Sequence, residues 1–162
     1  CGEIVNTSFP DNFFDAVTMH AVLEHISEPI DALKEVHRIL KEKGELIISV
    51  PNIWNWERIL FGKFWWAWDI PRHLWHFSPV SLKRLLKKAG FGDISIRQKA
   101  DMYDFPGNVK NMLKGIFPQQ TFLNILGEQD KLRFVTKYLM MPIGVIGALL
   151  GVSEQFVIFA RK

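Results

Sequence analysis

Residues 13–29, "FFDAVTMHAVLEHISEP", decide the fold. The run Phe13–Met19 is apolar enough for a strand covered on both faces, and the turn-forming "PDN" at residues 10–12 supplies its start. His20, Glu24 and His25 follow at once, past the end of a core element. A helix is expected next, with Ser27 as its N-cap and Glu28 and Pro29 in its first turn. Ile30, Leu33, Val36 and Leu40 then share one face, and Gly44 stands where a terminating glycine belongs. "ELIISVP", residues 45–51, is the next strand, and Pro51 stops it.

The same grammar returns downstream. Ser78 and Pro79 open a helix whose buried stripe is Leu82, Leu85, Leu86 and Ala89, closed by Gly90. "DISIRQ", residues 93–98, alternates as a strand does, and "EQFVIFARK", residues 154–162, gives a last strand. Strands separated by helices of this length predict right-handed crossovers and a mainly parallel sheet in an α/β domain. Ligands of such sheets bind beyond the carboxyl ends of the strands. His20, Glu24 and His25 follow one such end and Asn52 another, so these side chains are expected to face a ligand crevice.

Composition narrows the function classes. A chain of 162 residues with 48% hydrophobic and 13% aromatic residues is long and apolar enough for a packed globular domain. The formal charge is only +3, and the densest basic run, "KRLLKK" at residues 83–88, reads as the solvated face of a helix. No aromatics are interleaved with it, so nucleic acid is not the expected partner. The single cysteine, Cys1, gives neither an internal disulfide nor a cysteine zinc pattern, which makes a reducing cytoplasm the expected location. The first residues carry no basic start and no apolar core, so no signal peptide is expected. "YLMMPIGVIGALLGV", residues 138–152, is apolar but broken by Pro142 and glycines. It reads as a buried or cap helix, with an interfacial contact and membrane insertion as the alternatives.

The block "FDAVTMHAVLEHISEPIDALKEVHRILKEKGELIISVPN" resembles the second half of a class I S-adenosylmethionine-dependent methyltransferase, from its fourth strand to the end of its fifth. "FGKFWWAWDIPRHLWHFSPVSLKRLLKKAGF" resembles a bacterial branch associated with saccharide and polysaccharide biosynthesis. The resemblance implies a partial Rossmann-like fold with the first strands missing and the last strand antiparallel. Residues 1–102 would form the α/β portion, 103–153 a helical insertion or cap, and 154–162 the last strand of a single truncated domain. It also implies that the chain alone lacks the main cofactor-binding half. Gly90-Phe-Gly92 ends a helix instead of opening one and fails the context of a nucleotide loop.

What the resemblance assigns to individual residues follows the same frame. Glu3 and Ile4 match positions beside the cofactor's adenine, and His20 and Ala21 match the strand end that lines its sulfonium side. His25 would be a general base for a substrate hydroxyl, with Glu24 and His76 as further catalytic candidates. Asn52, Arg72, His73 and Trp66 are candidates for binding the acceptor: Arg72 could clamp an anion, and the aromatics Phe64, Trp65, Trp66 and Trp68 form either core or a stacking wall. No metal is assigned. Relatives that methylate RNA 3′ ends hold a divalent ion on a Glu-x-x-Glu-His run and downstream histidines, but Ala21 stands here at the first glutamate. The reading is methyl transfer to a small hydroxyl-bearing acceptor, a saccharide among the candidates. Its rivals are a noncatalytic binding or scaffold module and a membrane-surface protein. A strand left as an edge by the missing strands predicts self-association.

Overall fold

The computed structural model describes residues 4–99, 105–116 and 141–162. They belong to two compact units, one formed by Cys1–Asn52, Pro71–Arg97 and Phe156–Lys162, the other by Ile53–Ile70 and Gln98–Gln155.

The first unit is built on a four-stranded sheet. Its strands are β1 (Phe14–His20), β2 (Leu40–Pro51), β3 (Gly92–Gln98) and β4 (Gln155–Arg161), in the order β1-β2-β4-β3. β1 and β2 run parallel, with Val17 opposite Leu46 and His20 opposite Ser49. Main-chain bonds of 3.1 Å from Lys162 N–H to the Gly44 carbonyl and from Lys99 N–H to the Gln155 carbonyl join strand ends to strand starts. β4 therefore opposes both neighbours, and the sheet is mixed, as the sequence predicts. Leu46, Ile48 and Val50 of β2 and Phe156, Ile158 and Ala160 of β4 supply the core at every second position, the period of a strand, and Ser49 and Pro51 are buried as well at the end of β2. Leu33 and Val36 of α1 (Pro29–Ile39) and Leu82 and Leu86 of α3 (Pro79–Lys88) complete this core. Each such aliphatic side chain contributes on the order of 1.5–3 kcal/mol by leaving water.

Local chemistry fixes the helix ends. The Ser78 hydroxyl accepts the Ser81 N–H at 3.1 Å while the Ser81 hydroxyl accepts the Ser78 N–H at 2.9 Å, a reciprocal cap with serine in the place usual for glutamate. Gly90 leaves α3 with φ +102°, and a Cβ there would lie 3.1 Å from His37 Nε2. The conformation favours glycine, and the nearby His37 ring leaves little room for a side chain. α1 ends at Ile39, earlier than the expected Gly44, and Leu40 already begins β2. The helix stops because Asn12 and Phe13 donate their N–H groups to the carbonyls of Arg38 and Ile39, at 3.0 and 2.7 Å. Lys43, at φ 65°, takes the left-handed position. Gly44 serves a close approach instead, since a Cβ there would lie 2.8 Å from the Lys41 carbonyl.

β1 also departs from expectation. Met19 is buried and Phe14 and Val17 half-buried, but Asp15, Ala16, Thr18 and His20 are exposed. It is covered on one face only, and it stands at the end of the strand order.

The second unit packs α2 (Trp56–Phe61), α4 (Phe105–Ile116) and a helical segment at 141–149. Phe61, Trp65 and Ala67 form its core, with Phe64, Trp66, Trp68, Phe105, Val109 and Met112 around them. Buried polar groups tie it together: Asn108 accepts the Trp66 N–H at 2.6 Å and donates to Glu57 Oε2 at 2.5 Å, and the Trp66 indole N–H donates to Glu154 Oε1 at 2.6 Å. Of the apolar stretch 138–152, residues 138–140 lie outside the described residues. Among the described residues no helix is long and apolar enough to cross a membrane.

Candidate active site

The site grows from the carboxyl end of β1. His20 is exposed there, and Ala21 turns the chain with φ 49°, a left-handed conformation uncommon for a residue with a side chain. Its N–H donates to the Ser49 carbonyl at 2.9 Å, which holds the turn against β2. A single 3₁₀ turn, Leu23–His25, follows and buries Leu23 and Glu24.

A second segment, residues 71–77, is laid along that turn. The Glu24 carbonyl accepts N–H groups from Leu74 at 2.8 Å and Trp75 at 3.2 Å. The Trp75 indole donates to the Ile26 carbonyl at 2.9 Å, and Phe77 bridges to Asn52 beyond β2. His25 Nδ1 lies 2.8 Å from the Arg72 carbonyl oxygen. A carbonyl can only accept, so Nδ1 carries the hydrogen and, in the neutral ring, Nε2 presents its lone pair. His73 stands beside it, buried, with ring centroids 4.8 Å apart, and His76 lies 6.2 Å from His73.

Glu24 is the least ordinary member. It is 1% exposed, and neither carboxylate oxygen has a hydrogen-bond partner. One donor atom each from Glu24, His25 and His73 fall within 4.8 Å of one another. Thus three of the residues singled out in the sequence converge, with His76 next to them. Arg72 contributes its main-chain oxygen, while its residue is otherwise exposed. Asn52 is fully buried and continues the β2 ladder. Ile4 packs against the main core, and Glu3 lies outside the described residues. Trp66 belongs to the second unit, its indole bound to Glu154.

One polar group at the strand ends was not singled out. The Ser49 hydroxyl is buried without a partner, opposite His20 in the parallel register. Its trace in the sequence is a hydroxyl inside the apolar run "LIISV".

Known proteins resemble this chain in sequence and in fold. A family profile described as a methyltransferase domain matches residues 3–96. A demethylmenaquinone methyltransferase of Staphylococcus epidermidis is 31% identical over 134 residues, covering 70% of this chain and 53% of that protein. An uncharacterized protein of Methanocaldococcus jannaschii is 48% identical over 52 residues, 32% of this chain and 23% of that one. The chain thus spans about half, or less, of the length of these curated relatives. Among solved structures, a SAM-dependent methyltransferase from Thermotoga maritima superposes with a TM-score of 0.63 at 19% identity, covering 99% of this chain and 62% of that one. That likeness is one of fold. The profile, spanning more than half of the 162 residues, carries the family assignment: the chain belongs to the methyltransferase-domain family.

Proposed function

We propose that the protein transfers a methyl group from S-adenosylmethionine to a small hydroxyl-bearing acceptor, with a saccharide as the acceptor class. The observation that carries this reading is His25, fixed by the Arg72 carbonyl at the carboxyl end of β1 with Nε2 turned away from that bond. A neutral imidazole so held can take a proton from an acceptor hydroxyl as the oxygen becomes nucleophilic, a contribution typically worth 10²–10⁴-fold. Holding the ring in one orientation serves alignment, on which displacement at a methyl group depends.

S-adenosylmethionine supplies an electrophilic methyl group. Of the residues the resemblance assigns to it, His20 and Ala21 stand at the end of β1, where they would line its sulfonium side. No glycine lies between a strand and the helix after it among the described residues, so no turn there lets a backbone approach the methionine part closely. These residues alone do not fit the whole cofactor, and the chemistry derived from them is confined to the acceptor side.

The saccharide class rests on the likeness of "FGKFWWAWDIPRHLWHFSP" to the polysaccharide-associated branch. A quinone-like acceptor is the second reading, favoured by the 31% identical demethylmenaquinone methyltransferase. Methyl-labelled S-adenosylmethionine incubated with the full-length protein and either deoxysugar nucleotides or a demethylated quinone separates them by where the label goes. Label transferred to neither, with the protein folded, would overturn the methyl-transfer reading.

A further inference from the structure

We propose that Glu24, His25 and His73 form a binding site for a divalent first-row transition-metal ion. The first argument is Glu24. A carboxylate taken out of water is costly unless it is paired, hydrogen-bonded or bound to a cation, and this one is 1% exposed with both oxygens unpartnered. Imidazole nitrogens stand close to it: one ligand atom each of Glu24, His25 and His73 lie within 4.8 Å of one another. Ligands bound at about 2.0–2.2 Å to one ion lie at most about 4.4 Å apart, so the three atoms need only a small closure to share one.

The second argument is orientation. The bond from His25 Nδ1–H to the Arg72 carbonyl, at 2.8 Å, is the kind of outer contact that fixes the tautomer of a ligating histidine and leaves Nε2 for the metal. The two N–H groups that Leu74 and Trp75 direct at the Glu24 carbonyl clamp the segment carrying His73 onto the turn carrying the other two ligands. The His25 ring and the backbone that carries the other two donors are thus held in place, as a binding site requires.

The donor set selects the metal. Two imidazoles and one carboxylate suit Mn²⁺, Fe²⁺, Co²⁺ or Zn²⁺ and leave positions open, whereas Mg²⁺ prefers oxygen ligands. Ala21, exposed on the same turn, adds no second carboxylate that would favour a hard ion. The use of the site rests on the methyl-transfer reading: an acceptor hydroxyl on an open position would release its proton to solvent near neutral pH, as metal-bound water does. With an ion on Nε2, His25 acts as ligand and the ion takes over the lowering of the hydroxyl's pKa.

Metal binding is measured without cofactor or acceptor, so it fails or stands separately from methyl transfer. The chelator-treated 162-residue chain is titrated with Co²⁺, Zn²⁺ and Mg²⁺ by calorimetry, with the visible absorption of Co²⁺ as second readout. One Co²⁺ or Zn²⁺ per chain is expected, at least 100-fold tighter than Mg²⁺. Glu24→Gln keeps the side chain's shape and should weaken Co²⁺ binding more than tenfold; His25→Ala, at an exposed position, should do the same. His37→Gln, outside the cluster, should bind as the unaltered chain does. Absence of stoichiometric uptake would overturn the site, and so would a folded Glu24→Gln chain that binds Co²⁺ undiminished.

Discussion

His25 Nδ1 meets the main-chain oxygen of Arg72 at 2.8 Å across 47 positions of sequence. The acceptor belongs to the backbone, so the bond depends on the path of residues 71–77 and not on the side chain at position 72. This separates two properties of His25 that an alanine would remove together. In His25→Asn, the side-chain amide can donate to the Arg72 carbonyl but offers nothing at the Nε2 position. We expect it to melt within about 1 °C of the unaltered protein while losing about a hundredfold or more in turnover. Turnover preserved in the asparagine variant would mean that His25 is there to hold the loop. Thermal denaturation and a labelled-methyl assay of the full-length protein read the two effects.

Ala21 is held at φ 49° immediately beyond β1, where left-handed backbone costs a residue with a Cβ about 1–2 kcal/mol. Ala21→Gly relieves that cost but adds backbone freedom to the unfolded chain, worth roughly 0.5–1 kcal/mol. Stability should hold or rise by up to about 1.5 kcal/mol. Ala21→Val, branched at Cβ, should fall by about 1–2 kcal/mol. Equal midpoints for the two variants in urea would show that the conformation is not maintained in solution.

Acid should weaken the first unit in two stages. His37 has its pKa lowered from the usual 6.5, chiefly because burial disfavours the charged ring and secondly because Lys162 is near. Its folded pKa lies below its unfolded one, so its share of stability is complete above pH 6.5 and lost as pH falls through the folded value. Glu35 is held at about 2 by its bond from Arg38 first and by Thr7 next, against an ordinary 4.5. That contribution is complete above pH 4.5 and disappears as pH drops toward 2. Urea midpoints should therefore decline first below neutrality and again below pH 4.5. His37→Gln should flatten the first decline and Glu35→Gln the second. A decline unchanged by both would place the acid sensitivity elsewhere.

Where a residue's neighbours in sequence decide its structure, the sequence was readable. Ser78 and Pro79 announce α3, and Phe156, Ile158 and Ala160 announce the covered face of β4. Gly44 misled because a glycine after an apolar helical stripe normally ends it. Here residues 12 and 13 reach the helix end first, and the glycine is needed for the approach of Lys41 and Asp15. The candidate site divides in the same way. Glu24, His25 and His73 stand out as residue types placed after a strand and in a polar loop. That Glu24 is wholly buried, and that a backbone oxygen orients His25, depends on residues 71–77 folding over the turn, which no local pattern records.

β1 carries the remaining prediction. It is the end strand in the order β1-β2-β4-β3, so among the described residues one of its edges is paired with β2 and the other with no strand. Lysine, proline or a bulge on the free side commonly protects such an edge. β1 has neither lysine nor proline, and its bulge, between Phe14 and Ala16, lies on the side of β2. Asp15 is exposed but bonded to Lys41 of β2 at 2.8 Å, which lowers its pKa and offsets its charge as a deterrent. Ala16 and Thr18 are exposed beside it, small enough for another strand to approach. The 162-residue chain should therefore self-associate through β1, with apparent mass rising with concentration in sedimentation equilibrium. Thr18→Lys places a charge at an exposed position of the strand and should shift that rise to at least tenfold higher concentration. Monomers at every concentration, with amides of Ala16 and Thr18 exchanging at unprotected rates, would show that the open edge is tolerated.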